Sequence, residues 1–307
     1  MTSKLLKGSR PIPDKESLNF IQKSIDPSFL YDRNIQSDFL CTYHKWLQNS
    51  KLNKLHGLDK FNKLSYVHGT SQAFDFFYAD YKDRRMRCFR GDFIYHQVTW
   101  RNNYKGWKYI EDDKIRKNDA LIVSVPFSDF GGIHPQLDSV LDECDRLDVP
   151  VFIDCAYYVM ARNIDFNLDR KCIKGVAFSM SKGFYGAERL RIGMRCKREF
   201  IDDPVDVFNS LGQISILGAL VGYRICENFE TDFIQNKYRD KQIEICKKLD
   251  LKPSDCATFG LADNNDDKYE KYQRGTEWRR VCISGLLGDL PIVSDGTPME
   301  VKFKGIL

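Results

Sequence analysis

The chain has 307 residues, 42% of them hydrophobic, which suffices for one large core or a core with a smaller lobe and excludes disorder as the default state. Its net charge of +4 is spread over 47 basic and 43 acidic side chains, so no strong field draws it to nucleic acid or to an anionic membrane. The opening residues carry no apolar stretch of signal-peptide length and no later segment stays apolar for a membrane span, so a soluble, cytoplasmic protein is expected.

Ten cysteines lie scattered from Cys41 to Cys282 with no Cys-x-x-Cys pair, which predicts reduced and mostly buried thiols. The five histidines neither cluster nor fall at ligand spacing from paired cysteines, so no metal site is expected.

In chain order, the run Ala-Leu-Ile-Val-Ser-Val at 120–125 predicts a buried parallel strand. Leu137, Val140, Leu141, Cys144 and Leu147 then recur at helical spacing, and residues 149–153 form a second apolar strand. Strand, crossover helix and strand make a right-handed unit. A third strand is expected at 175–180. The alternation points to an α/β core, whose ligands gather where the strands end. Beyond residue 200 the texture changes. The pattern predicts one long apolar helix over 208–229, a charged helix through 240–249, a solvated polar excursion over 261–273 and a short strand at 280–284. A smaller lobe is expected to begin near residue 205.

The chemistry concentrates in Ala-Phe-Ser-Met-Ser-Lys-Gly-Phe-Tyr-Gly-Ala-Glu-Arg-Leu-Arg-Ile-Gly-Met at 177–194, where a lysine follows a strand through two serines and arginines come shortly after. This resembles the lysine motif of the fold-type I enzymes that use pyridoxal 5'-phosphate (PLP), the aspartate aminotransferase superfamily. The resemblance implies that Lys182 forms a Schiff base with the cofactor, and that Ser179 and Arg191 bind its phosphate. Arg191 stands one residue further from the lysine than is usual, and Arg189 competes for that role.

Three further segments resemble the same family in the same order. Asp154-Cys155-Ala156-Tyr157, where the apolar run 149–153 stops, resembles its Asp-x-Ala-Tyr, which implies that Asp154 pairs with the pyridine nitrogen and Tyr157 donates to the ring oxygen. Gly69-Thr70-Ser71 resembles the turn that opens the first large-domain helix. Free N–H groups at a helix start, with two hydroxyls, suit a dianionic phosphate. Arg279-Arg280-Val281-Cys282-Ile283-Ser284-Gly285 resembles the late segment whose arginine, here Arg280, grips the substrate α-carboxylate.

By position the resemblance also implies that Trp100 stacks on the cofactor, with His96 and Tyr95 close by. It implies that Ser128 stands where an asparagine contacts the ring oxygen, and that Tyr31 reaches the phosphate of a neighbouring subunit. The implied architecture is the PLP-dependent transferase fold, α/β, with a mostly parallel seven-stranded sheet. Its large domain would span 40–205, and a reduced α+β small domain would combine 1–39 and 206–307. The implied protein is a homodimer that transfers amino groups between an amino acid and a 2-oxo acid. A PLP-dependent lyase or decarboxylase on the same fold, and a non-catalytic binding protein, stay open. Neither a Gly-x-Gly-x-x-Gly turn nor a Gly-Lys-Ser/Thr phosphate loop supports a nucleotide-binding alternative.

Overall fold

Successive residues of the run at 120–123 enter two different cores. Ala120 and Ile122 pack with Val67, Phe74, Met86 and Phe152, whereas Leu121 and Val123 pack with Leu141, Ile153, Val176 and Phe178. This is the two-residue period of a strand covered on both faces. The computed structural model of the chain describes residues 5–97, 106–200 and 203–290.

The described strands are β1 (Asn53–His56), β2 (Lys63–His68), β3 (Arg85–Cys88), β4 (Trp107–Tyr109), β5 (Asp119–Ser124), β6 (Val151–Cys155), β7 (Ile164–Asn167), β8 (Ile173–Ser179), β9 (Ile192–Lys197), β10 (Lys252–Pro253), β11 (Phe259–Asp263) and β12 (Trp278–Cys282). Seven of them form one sheet in the order β2-β9-β8-β6-β5-β3-β4, parallel throughout except for β9, which runs against both β2 and β8. The mostly parallel seven-stranded α/β sheet expected from the sequence is therefore present. β1 and β7 form a short parallel pair, and β10, β11 and β12 an antiparallel sheet of their own.

The helices follow their sequence signals closely. Asp14 caps α1 (Lys15–Ser24), accepting from the Ser17 N–H, and α2 (Ile35–Gln48) packs on a later helix. Gly69 opens α3 (Thr70–Asp80). Helix α4 (Leu137–Leu147) buries Leu137, Val140, Leu141 and Cys144 and ends on Asp148 in the left-handed conformation. Nine of the ten cysteines are buried and all ten are free.

Three expectations need correction. The single helix over 208–229 is two, because Gly212 takes φ +66 and Ser215 then caps a new start, its Oγ accepting from the Gly218 N–H at 3.1 Å. After a short α5 (Ala187–Leu190), these two are α6 (Pro204–Ser210) and α7 (Ile216–Asn228). The charged helix begins already at Phe233, as α8 (Phe233–Leu249). The polar stretch 261–273 is a solvated excursion only in part, with Asp263, Asn265, Asp267, Lys268, Glu270 and Lys271 exposed. Leu261 and Ala262 lie buried in β11, and Tyr269 and Tyr272 are buried in the turn beyond, with Tyr269 donating to the Leu249 carbonyl at 2.6 Å.

The N-terminal segment joins the second sheet, since Leu6 and Cys282 exchange both backbone hydrogen bonds at 3.0 Å. It then passes over the ends of the central strands to Asp14, whose carboxylate is held by Lys237 and Tyr238 of α8. No helix among the described residues is long and apolar enough to cross a membrane.

Candidate active site

Because β5, β6 and β8 are parallel neighbours, with Ser124 opposite Asp154 and Asp154 opposite Ala177, their last residues arrive at one edge of the sheet. Above that edge lies a cavity of about 850 Å³. It is lined by Thr70, Ser71, Ser128, Asp154, Tyr157, Ser179, Lys182, Arg191 and Arg280, all expected from the sequence. Arg189 is exposed and does not line it.

At one end the cavity is built for an anion. Gly69, at φ +77, makes the turn into α3, and no side chain caps that helix start. A Cβ on Gly69 would run into the Arg191 guanidinium. Arg191, itself left-handed at φ +55, donates from Nη2 to the His68 carbonyl and to Ser71 Oγ, both at 3.2 Å. Ser179 is committed locally, its Oγ donating to the Ile192 carbonyl at 3.3 Å and accepting from the Ser181 N–H at 3.2 Å. The buried Ser181 hydroxyl, by contrast, has no partner among the described residues. An uncapped helix start, a guanidinium and an orphaned hydroxyl together fit a phosphate group.

In the centre lies Asp154, only 5% exposed, with Oδ1 accepting the Ala156 N–H at 2.9 Å and the Thr70 hydroxyl donating to the same carboxyl. Burial, and then the negative charge of Asp92, push its pKa up to about 7. The Lys182 charge acts on it only from beyond ion-pair distance, and a protonated pyridine nitrogen is a group that would supply a direct cation. Asp92 is also buried and raised to about 6 by desolvation, although Ser124 donates to it through both N–H and Oγ. Lys182, in the turn after β8, extends its amine to the Ser9 carbonyl at 2.9 Å. Tyr157 packs edge-on against Phe259, with ring centroids 5.4 Å apart, and its hydroxyl has no partner among the described residues.

The opposite end belongs to arginines. Arg280, 2% exposed on β12, lies over the Phe259 ring and donates to the Ser128 carbonyl at 2.5 Å and the Lys7 carbonyl at 3.1 Å, while its Nε has no partner among the described residues. This buried guanidinium rests on backbone carbonyls and makes no direct ion pair among the described residues, feeling Asp129 only at longer range, so a carboxylate ligand would provide a direct partner. The residues present thus fit PLP with an amino acid beside it.

Two expectations find no support in this cavity. Tyr31 is 91% exposed at the end of a short 3₁₀ turn and does not line it. Trp100 lies outside the described residues. Its neighbours divide. Tyr95 lines the cavity and stacks on Phe93, at 5.8 Å between centroids, whereas His96 is buried behind, 2.5 Å from the Tyr78 hydroxyl, with its pKa pushed down to about 3 by burial. Phe93, Asp92, Ser124, Ser181, Arg274 and the stretch 7–10 also line the cavity, and sequence reasoning assigned none of them a role. Asp92 follows Gly91 just past β3, but that strand reads Arg-Met-Arg-Cys and gives no apolar run to mark its end. Arg274 had no signal either, sitting in a loop whose composition reads as solvated.

No family model and no curated protein matches the sequence. Solved structures do resemble the fold. An aromatic aminotransferase from Pyrococcus horikoshii OT3 superposes with a TM-score of 0.67 at 12% identity, covering 90% of this chain and 89% of that one. A kynurenine aminotransferase from Pyrococcus horikoshii, solved with PMP, gives 0.62 at 12% identity over 86% and 76% of the two chains. The histidinol-phosphate aminotransferase from Clostridium acetobutylicum gives 0.58 at 14% identity over 90% and 92%. The fold is that of the fold-type I PLP-dependent aminotransferases.

Proposed function

We propose that the protein is a PLP-dependent aminotransferase acting on an amino acid and a 2-oxo acid. The observation that carries this reading is the meeting, in one cavity, of Lys182, an uncapped helix start with Arg191, and a buried Asp154 and a buried Arg280 that make no direct ion pair among the described residues. PLP bound there supplies an electron sink for the charge left when a bond at the substrate α-carbon breaks.

The chain's own residues do the rest. Thr70, Ser71, Ser181 and Arg191 hold the phosphate, and Asp154 keeps the pyridine nitrogen protonated. Tyr157 and Ser128, both lining the cavity, would supply hydroxyls to the ring oxygen, and Phe93 or Tyr95 an aromatic face. Arg280 fixes the α-carboxylate and with it the α-carbon bond that is weakened. Lys182 Nζ, once free of the cofactor, takes the α-proton and gives it back as general base and acid. The exposed Tyr31 suits a surface covered by a second copy, so a homodimer forms part of the proposal, to be read by light scattering.

The test is transfer itself. Purified protein with PLP, a panel of L-amino acids and a 2-oxo acid should yield the oxo acid of at least one donor, and Lys182→Ala should abolish it. Binding of PLP without transfer from any donor would count against an aminotransferase.

A further inference from the structure

A second guanidinium stands beside Arg280. Arg274, in the loop before β12, donates from Nη2 to the carbonyls of Gly91 at 2.8 Å and Asp92 at 3.1 Å, and reaches Ser128 Oγ at 3.5 Å. Its Nε faces Asp129 Oδ1 at 3.1 Å, and Thr276 donates to the other oxygen of that buried carboxylate. Its Nη1 has no partner among the described residues. Both arginines bond Ser128, Arg280 through the carbonyl and Arg274 through the hydroxyl, so they are neighbours on one wall. Burial and the charge of Arg280 lower the Arg274 pKa to about 10, which leaves it protonated at neutral pH.

The position decides what Arg274 can reach. The phosphate cradle sits at the ends of β2, β8 and β9, and Asp154 sits on β6 in mid-sheet. Arg274 holds residues that follow β3 and β5, on the far side of Asp154. It therefore faces the substrate, not the phosphate. The charges there do not cancel. Arg274 and Arg280 share one buried carboxylate, Asp129, and Lys7 and Arg10, exposed at the cavity, form no described ion pair. Asp92 also acts on Arg274 through its charge, so two carboxylates, Asp129 and Asp92, stand against the four cations Arg274, Arg280, Lys7 and Arg10. One substrate α-carboxylate leaves a positive surplus.

We propose that Arg274 determines specificity, binding a second carboxylate at the far end of the substrate through Nη1 while Asp129 holds the guanidinium in place. The proposal rests on the aminotransferase reading for the role of Arg280. It makes the substrate a dicarboxylic amino acid or its oxo acid.

Calorimetric binding of glutarate and of pentanoate, which differ by the second carboxylate, to purified protein with PLP added is the test. A charge-assisted hydrogen bond predicts a preference for glutarate of about ten- to a hundredfold. Arg274→Gln should bring the preference to within about twofold, the loss falling on glutarate. The double variant Arg274→Gln with Asp129→Asn should do the same without leaving a lone buried carboxylate, which guards against misfolding. Equal affinity of wild type for the two acids, or equal weakening of both in the variants, overturns the proposal, the latter placing Arg274 at the shared carboxylate. Because binding is read without turnover, a protein that prefers glutarate as expected and yet transfers no amino group refutes the aminotransferase reading alone.

Discussion

Asp154→Asn is the most informative single change for the cofactor-free protein. Burial raises the Asp154 pKa from an ordinary 3.8 to about 7, so the native state favours the protonated acid. A raised carboxyl contributes its stability below the unfolded value and loses it as pH climbs through the native one. The move from 3.8 to about 7 corresponds to about 4 kcal/mol, an upper bound because Asp92 relaxes when its neighbour is neutralised. Asparagine has no charge to bury. Near pH 4 the variant should match wild type, and near pH 8 it should be more stable by up to about 4 kcal/mol, several degrees in Tm for a chain of this size. Thermal unfolding of both proteins from pH 4 to 8 without PLP reads this difference directly. Adding PLP should narrow or reverse it, since a ligand at about 100 times its Kd stabilises by about 2.7 kcal/mol and the variant binds it more weakly. A difference that does not grow with pH, or a variant less stable than wild type at pH 8 without cofactor, would refute the reasoning.

Other changes separate the parts of the site. Arg191→Gln should weaken PLP binding about tenfold or more, and the exposed Arg189→Gln should not, as read by titration of the visible band. Gly69→Ala should cost about 1–3 kcal/mol in urea unfolding, because the left-handed backbone resists a side chain and the new Cβ meets Arg191. Arg280→Gln should lower kcat/KM for amino donors at least tenfold with little change in PLP affinity, as measured in the transfer assay. Leu141→Ala, in the fully buried face of α4, should cost about 2–5 kcal/mol by the same urea method and leave the absorbance of bound PLP unaltered.

What could be read from the chain was what local pattern encodes. The runs at 120–125, 149–153 and 175–180 are continuous and apolar because both faces of β5, β6 and β8 are covered, and Asp154 and Lys182 stood out because polar chemistry follows such runs abruptly. The reversed direction of β9 and the three-residue edge strand β4 leave no periodic trace. The break at 211–215 depends on one glycine and one capping serine inside an otherwise apolar stretch, where hydrophobicity alone argues for continuation. Tyr269 and Tyr272 are buried by α8 and the second sheet in a segment whose composition is polar. Residues 7–10, Asp92 and Arg274 reach the cavity by tertiary folding from distant parts of the chain, and no spacing announces that.

The central claim is that Lys182 is the residue that holds PLP. Incubation with PLP, reduction with borohydride, digestion and mass spectrometry test it most directly. The account predicts a visible band before reduction and a pyridoxyl group on Lys182 afterwards, both absent from Lys182→Ala. A label on another lysine, or no label on wild type, would contradict it.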